Sequence, residues 1–380
     1  MFPFSKYLGG VSCESRVASR ETNIALGLTT GNSQLETFEV TILATNSAVV
    51  RPDSTGLTWQ QELRQAVRTA EELCRRLNLS DELAKAAVQG AEDFPVFVPP
   101  SFLARMKVGD PHDPLLRQVL PVTEEGDEVD GFSRDPVDDT SATIHPGVLH
   151  KYHGRALLIA TGVCAVHCRY CFRRHFPYEE APHSEAAWDS ALATIAADNS
   201  ISEVILSGGD PLMLVDEKLS QLVEKIATIE HVRRLRVHTR LPIMIPSRVT
   251  NKLLDCLTSS RLTSVMVIHA NHTQELSDEI AHQLARMRQR GITLLNQAVL
   301  LRGVNDSIDA QVSLSERLIE VGVMPYYLHQ LDRVRGAAHF EVPIDEGIRI
   351  VELMRERLPG YAVPRLVQDV VGEPNKVVLA

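Results

Sequence analysis

The chain has 380 residues, 44% hydrophobic and 23% charged, values that exclude a disordered or collagen-like protein and allow a large buried core. Asp plus Glu number 49 against 39 Lys plus Arg, a formal charge of -10, so a grip on nucleic acid would need a strong local basic patch and no nucleic-acid partner is expected. No run approaches 18 continuous apolar residues and the N-terminus lacks the basic and apolar regions of a secretion signal, so the expectation is a soluble, cytoplasmic protein without membrane partners.

Residues 1–55 mix Ser, Thr, Asn and Gly without a sustained period and read as a poorly defined N-terminal extension. From Leu57 the pattern turns helical. Leu63, Val67, Ala70 and Leu73 keep one face and Ser80 sits where an N-cap belongs, which predicts two helices, followed by a short one at PSFLARMKVG. The acidic, proline-marked stretch TEEGDEVDGFSRDPVDD then runs to about Ile144, so 56–144 reads as a helical region and linker ahead of a core at 145–380.

Beyond the linker six β-rich runs alternate with helical ones. The strands are predicted at 155–161, 203–208, 233–239, 263–270, 292–300 and 324–331, each followed by a helix-period segment. Near-continuous apolar strands covered by helices imply an α/β fold with a parallel sheet. Equal spacing favours a partial (β/α)6 barrel, with a doubly wound sheet as the alternative, and either places chemistry at the strand C-termini.

The cysteines are unevenly placed. Cys13, Cys74 and Cys256 are scattered, the last two reading as buried thiols, whereas Cys164, Cys168 and Cys171 form CxxxCxxC on the loop after the first core strand. One reading is a zinc site completed by His167 or His175, although zinc ribbons bring a second CxxC pair that this sequence lacks. The other is a [4Fe-4S] cluster in which three thiolates each hold one iron and leave the fourth open for reaction.

This loop, on the first of six β/α units, resembles that of the radical S-adenosylmethionine superfamily, and the resemblance implies S-adenosylmethionine on the open iron and reductive cleavage to a 5'-deoxyadenosyl radical. LSGGDPL (206–212) is similar to the family's glycine-rich segment. There Gly208 and Gly209 would let backbone approach the ligand and Asp210 could accept from an ammonium, although a GGD after a strand also makes an ordinary tight turn.

From about residue 95 to 380 the chain resembles the lysine 2,3-aminomutases, through KYHGR (151–155), FRRHF (172–176) and the C-terminal GYAVPRLVQDVVGEPNKVVLA. The resemblance implies that Lys376 forms a Schiff base with pyridoxal 5'-phosphate, that Tyr152 and Arg155 contact its phosphate, and that Arg173 grips the substrate α-carboxylate. It further implies that Asp332 and Asp369 bind the far ammonium of lysine. Each residue also has a plainer reading: Arg173 with Arg169 and Arg174 as a basic loop, the aspartates as turn or cap residues.

Within that family DPLLRQVL, CRYCFRRHFPY, LLNQ and MPYYLH are similar to the elongation factor P aminomutases, and no cysteine follows Cys256, unlike the metabolic enzymes with their cysteine-rich zinc segment. The implied reaction is (S)-α-lysine to (R)-β-lysine, with a reductant such as flavodoxin or ferredoxin, and with the product passing to elongation factor P through its lysyl ligase. Homo-oligomerisation stays open. The competing readings are an aminomutase for ornithine or arginine and a zinc-stabilised binding protein without catalysis. Chemistry favours the first pair of cofactors, because no side-chain base can deprotonate an unactivated β-carbon and a migrating nitrogen needs a π-system.

Overall fold

The computed structural model describes residues 56–91, 93–180 and 185–380, which belong to a single compact unit; the N-terminal extension and Cys13 lie outside the described residues. Single polar residues start the first helices. Thr58 caps α1 (Trp59–Arg64) in a capping box with Gln61, Thr69 caps α2 (Ala70–Arg76), and Ser80 caps α3 (Asp81–Gly90) by accepting from the Leu83 amide. The predicted first helix is therefore two. Between them Val67 exchanges main-chain hydrogen bonds of 2.8 and 3.0 Å with Val98, which breaks the helix while Thr69 restarts it. The short helix after it spans Pro100–Leu103.

Ten strands form one sheet in strictly sequential order: β1 (Thr143–His145), β2 (Val148–Tyr152), β3 (Arg155–Thr161), β4 (Glu203–Gly208), β5 (Arg234–Thr239), β6 (Thr263–Ile268), β7 (Thr293–Val299), β8 (Met324–His329), β9 (Arg365–Gln368) and β10 (Val377–Val378). Strands β3 to β9 are parallel, and antiparallel hairpins β1–β2 and β9–β10 flank them. Six strands match the sequence reading and four were not foreseen. The missed β2 is joined to β3 by a two-residue turn, His153–Gly154, whose glycine has φ +77°, a conformation that favours the missing side chain.

Sequential order decides between the two topologies, because a doubly wound sheet must reverse its strand order and this one never does. Its ends also approach each other: Lys151 and Tyr152 on β2 hydrogen-bond Asp369, the residue after β9, at 2.6 and 2.9 Å. The sheet is thus a curled, partial barrel.

The strands are less uniformly apolar than expected. On β5 and β7 buried residues alternate with half-buried ones: Leu235, Val237, Leu294 and Ala298 pack outward into the core, while Arg236, His238, Gln297 and Val299 line an internal cavity. Outside lie α4 (Glu185–Ala196), α5 (Asp216–Ala227), α6 (Asn251–Thr258), α7 (Asp278–Gln289), α8 (Ile308–Glu320) and α9 (Ile344–Arg357). One hydrophobic core runs from Trp59 through the barrel to Leu366, so the N-terminal helices share it. The acidic stretch read as a linker is built into the same unit: Ser133 bridges to Val334, and Glu125 and Asp139 are buried. No helix among the described residues is long and apolar enough to cross a membrane.

Candidate active site

The CxxxCxxC segment leaves the C-terminal end of β3 and is fixed by its arginines. Arg169 is fully buried and grips Glu125 through Nε at 2.7 Å and through Nη2, while Nη1 donates to the Phe94 carbonyl at 2.6 Å. Arg174 shares Glu125 at 2.9 Å. Arg173 donates through Nε to Asp139 at 2.7 Å and through Nη1 to Ser207 at 3.3 Å. A basic loop facing solvent is therefore excluded, since all three cations are buried with carboxylates that the acidic stretch supplies. Arg240, after β5, donates to Cys168 Sγ at 2.8 Å and is itself held by Glu275 at 3.0 Å.

Three thiols on one loop supply the donor set of a [4Fe-4S] cube, which takes each thiolate on a different iron. The two candidate zinc histidines are otherwise engaged: His167 Nδ1 lies 2.8 Å from the Pro95 carbonyl with its ring stacked on Phe94, and His175 Nε2 lies 3.2 Å from the Arg335 carbonyl. Burial pushes the Cys164 thiol well up and the Cys171 thiol to about 11, the neighbouring thiols adding to it, so iron must displace protons to bind.

Gly208 and Gly209 pack against the start of this loop. A side chain at either would collide with the Thr161–Val163 backbone, and Gly208 has φ +120°; the Gly209 and Asp210 amides donate to Thr161 and Val163 carbonyls at 2.8 Å each. The bareness expected to admit a ligand admits the cysteine loop. Asp210 is likewise engaged, accepting from the Thr239 hydroxyl and from the Leu212, Arg240 and Leu241 amides. Its carboxylate ties β4 to β5 and has no lone pair to spare for an ammonium.

Inside the barrel a cavity of about 280 Å³ runs from Arg155, at the start of β3, to the strand C-termini and the cysteine loop, which contributes Phe172 and Arg173. Lys376, Asp369, Asp332, Tyr152, Arg155 and Arg173 all line it, so six residues scattered over 225 positions face one space. Lys376 Nζ lies 2.6 Å from Asp369 Oδ2. Asp369 Oδ1 accepts from Lys151 and from Tyr152. The Tyr152 hydroxyl, expected on a phosphate, is thus on a carboxylate, whereas Arg155 rests 4.7 Å over the Tyr152 ring with no ion pair found for it among the described residues.

The two aspartates differ electrostatically. Burial raises Asp369, but Lys376 and Lys151 outweigh it and hold the carboxyl at about 2; burial dominates at Asp332 and pushes it up to about 7 against the pull of Lys376. Three histidines that the sequence reading passed over, His238, His269 and His329, stand at the ends of β5, β6 and β8 with buried Nε2 atoms lacking a partner. Burial pushes all three down, His269 to about 3, so they are neutral. Their signal was present, since RVHTR, VIHAN and YLHQLD each put a histidine where strand chemistry belongs.

A 4Fe-4S single cluster domain matches residues 153–239, a span that includes all three clustered cysteines. An L-lysine 2,3-aminomutase of Escherichia coli is 46% identical over 322 residues, covering 84% of this chain and 94% of the relative. The chain belongs to the lysine 2,3-aminomutase family. The enzyme of that name from Haemophilus influenzae is 42% identical over 85% of this chain and 95% of its own, and that from Clostridium subterminale 32% over 84% and 76%. Among solved structures, a radical SAM methyltransferase from Sphaerobacter thermophilus aligns with a TM-score of 0.40 at 15% identity, covering 58% of this chain and 68% of its own. Lys376, with its side chain 23% exposed, and Arg173 of the cysteine loop line the same cavity.

Proposed function

We propose that this protein is a lysine 2,3-aminomutase that converts (S)-α-lysine to (R)-β-lysine with a [4Fe-4S] cluster, S-adenosylmethionine and pyridoxal 5'-phosphate. The observation that carries this reading is the joining of Lys376, Asp332, Asp369 and Arg173 on one cavity beneath the cysteine loop. When bound, the cluster with its sulfonium ligand supplies a carbon radical able to remove an unactivated hydrogen, and the pyridoxal group supplies the π-system a migrating nitrogen requires.

The chain's own residues do the rest. Cys164, Cys168 and Cys171 would hold the cluster, with Arg240 steadying Cys168, and the Gly208–Gly209 backbone beside them would flank the methionine end of the sulfonium ligand. Lys376 would hold the pyridoxal aldehyde between turnovers, and Arg155, without a carboxylate partner among the described residues, would take its phosphate. Arg173 is oriented by Asp139 and Ser207 to receive an α-carboxylate. Asp332 and Asp369 present carboxyl groups to the cavity, which would accept from an ammonium tail and disfavour a carboxylate one. The neutral imidazoles of His238, His269 and His329 offer polar atoms without adding charge.

We further infer that β-lysine is delivered to elongation factor P by a separate ligase, a reading supported by the motifs shared with that branch. Purified protein, reconstituted anaerobically with iron, sulfide and pyridoxal phosphate and reduced with dithionite, should yield β-lysine from lysine and release 5'-deoxyadenosine. Turnover of ornithine or arginine but not lysine would reject the substrate; absence of 5'-deoxyadenosine with every amino acid would reject the reaction. Loss of β-lysyl modification on elongation factor P in a deletion strain tests the destination.

A further inference from the structure

One buried cation touches a cluster ligand directly, and the reaction as described gives its charge nothing to do. Arg240, just after β5, is 6% exposed. Its Nη1 donates to Cys168 Sγ at 2.8 Å, while Nη2 donates to Glu275 Oε2 at 3.0 Å and to Gln118 Oε1. Its amide donates to Asp210 Oδ2 at 2.8 Å, so the backbone that carries it is tied to the glycine-rich segment. Glu275 is fully buried, and its Oε1 accepts from the Asn271 and His272 amides at 2.9 and 3.2 Å and from Gln118 Nε2 at 3.0 Å. The guanidinium is thus aimed at the sulfur by partners that are themselves anchored elsewhere.

Holding Cys168 in place does not call for a charge. The Cys171 amide donates to the Cys168 carbonyl at 3.0 Å, and the next amide, that of Arg169, donates to the Gln118 carbonyl at 2.9 Å. Main-chain bonds therefore set the loop around this sulfur already. A buried guanidinium with a buried carboxylate behind it is a costly way to repeat that task, since both ions give up water. The charge has an effect that a neutral donor lacks. Reduction adds one electron to a cluster and forms no bond, and hydrogen bonds to the ligand sulfurs, net charge and exposure set how readily that happens. A fixed cation shielded from water beside a ligand sulfur favours the reduced form. Tyr170 stands beside the same sulfur, but burial keeps its hydroxyl protonated and neutral.

We propose that Arg240 is a positioning residue that acts through Cys168 to raise the reduction potential of the cluster, with Glu275 as the buried counter-charge that limits the rise. The electron comes from an external reductant of the flavodoxin or ferredoxin class, and the guanidinium supplies compensating charge without moving a proton. This rests on the reading of Cys164, Cys168 and Cys171 as cluster ligands.

The test is a redox titration of full-length protein, reconstituted anaerobically with iron and sulfide, without S-adenosylmethionine or lysine, the reduced cluster being read by electron paramagnetic resonance. At the parent's midpoint, Arg240→Gln should lower the ratio of reduced to oxidised cluster about tenfold, which for one electron is about 59 mV. Arg240→Lys, which keeps the charge, should lie between the two. Glu275→Gln should move the ratio the other way, upward. The opposite signs matter, because mere loosening of the loop would shift both Gln variants in the same direction. A midpoint unchanged in Arg240→Gln, equal in Arg240→Lys and Arg240→Gln, or lowered in Glu275→Gln overturns the proposal while leaving the cluster in place. Should Arg240→Gln not take up a full cluster, Glu275→Gln decides alone: a raised ratio supports the proposal, and an unchanged or lowered one overturns it. A parent protein that shows no reducible cluster refutes the reading of the three cysteines, and this inference with it.

Discussion

The cysteine loop and the Lys376 cavity lie in the same barrel and are stabilised in opposite ways. Around the loop every arginine has a carboxylate or carbonyl partner, Asp210 accepts from both β4 and β5 connections, and the glycines are filled by neighbouring backbone. In the cavity three histidine nitrogens have no partner, Arg155 has no counter-ion among the described residues, and two aspartates have carboxyl groups on opposite sides of the usual range. Each loop guanidinium is anchored, though Arg174 Nε and Arg240 Nε lack a partner, and anchored charges make a rigid holder, whereas unpartnered imidazoles and unequal carboxylates make a place that a ligand completes.

The harshest way to break this contrast is to remove a thiol. Cys168→Ser, which also deprives Arg240 of its sulfur partner, should lower iron and sulfide in anaerobically reconstituted protein by more than about tenfold and abolish 5'-deoxyadenosine release. Retention of a full cluster would remove Cys168 from the ligand set. Next in size is Glu125→Gln, which leaves two buried guanidinium groups short of charge and should cost about 3–5 kcal/mol in thermal or denaturant unfolding. A loss below about 1 kcal/mol would show that the loop tolerates incomplete pairing after all.

These effects follow from contacts that are unevenly legible in sequence. The thiol spacing is local, so the cysteine loop could be read directly, and so could the Thr58, Thr69 and Ser80 caps, although the Leu63–Leu73 period concealed the break at Val67. Strands β3 to β8 announced themselves by apolar runs, but β9 and β10 are too short to do so. Lys376, Asp369 and Asp332 could be named only through family likeness. The three histidines stood legibly at strand ends, whereas Lys151 escaped because nothing in the sequence states that β2 reaches the segment after β9.

The cavity side is sharpened by subtler changes. Asp332→Asn should raise KM for lysine by about thirtyfold or more, with pyridoxal content preserved. In the parent, lysine affinity should weaken as pH falls through about 7, because Asp332 then takes up a proton; the Asn variant should lack that dependence. Parallel pH curves for both proteins would place the titrating group elsewhere.

The same carboxyl groups also make stability without ligand depend on pH. The folded Asp332 carboxyl, at about 7, lies above its unfolded value, so the native state binds the extra proton and stability falls as pH rises from about 4 to 7. Asp369, at about 2, has the opposite sign: its contribution is present above about 4 and is lost as pH falls towards 2. Urea midpoints across pH 4 to 7 for the parent and Asp332→Asn should diverge as pH rises, the variant losing less; superimposable curves would contradict the assignment.

The seam between β2 and β9 is fastened by the side chains of Lys151, Tyr152 and Asp369, with no strand ladder joining the sheet's two ends among the described residues. Three side chains, and not a ladder of main-chain bonds, close this seam. Amide hydrogen exchange should therefore be quicker in the flanking hairpins than in the seven parallel strands, and equal protection in both would show that the seam holds as firmly as a ladder.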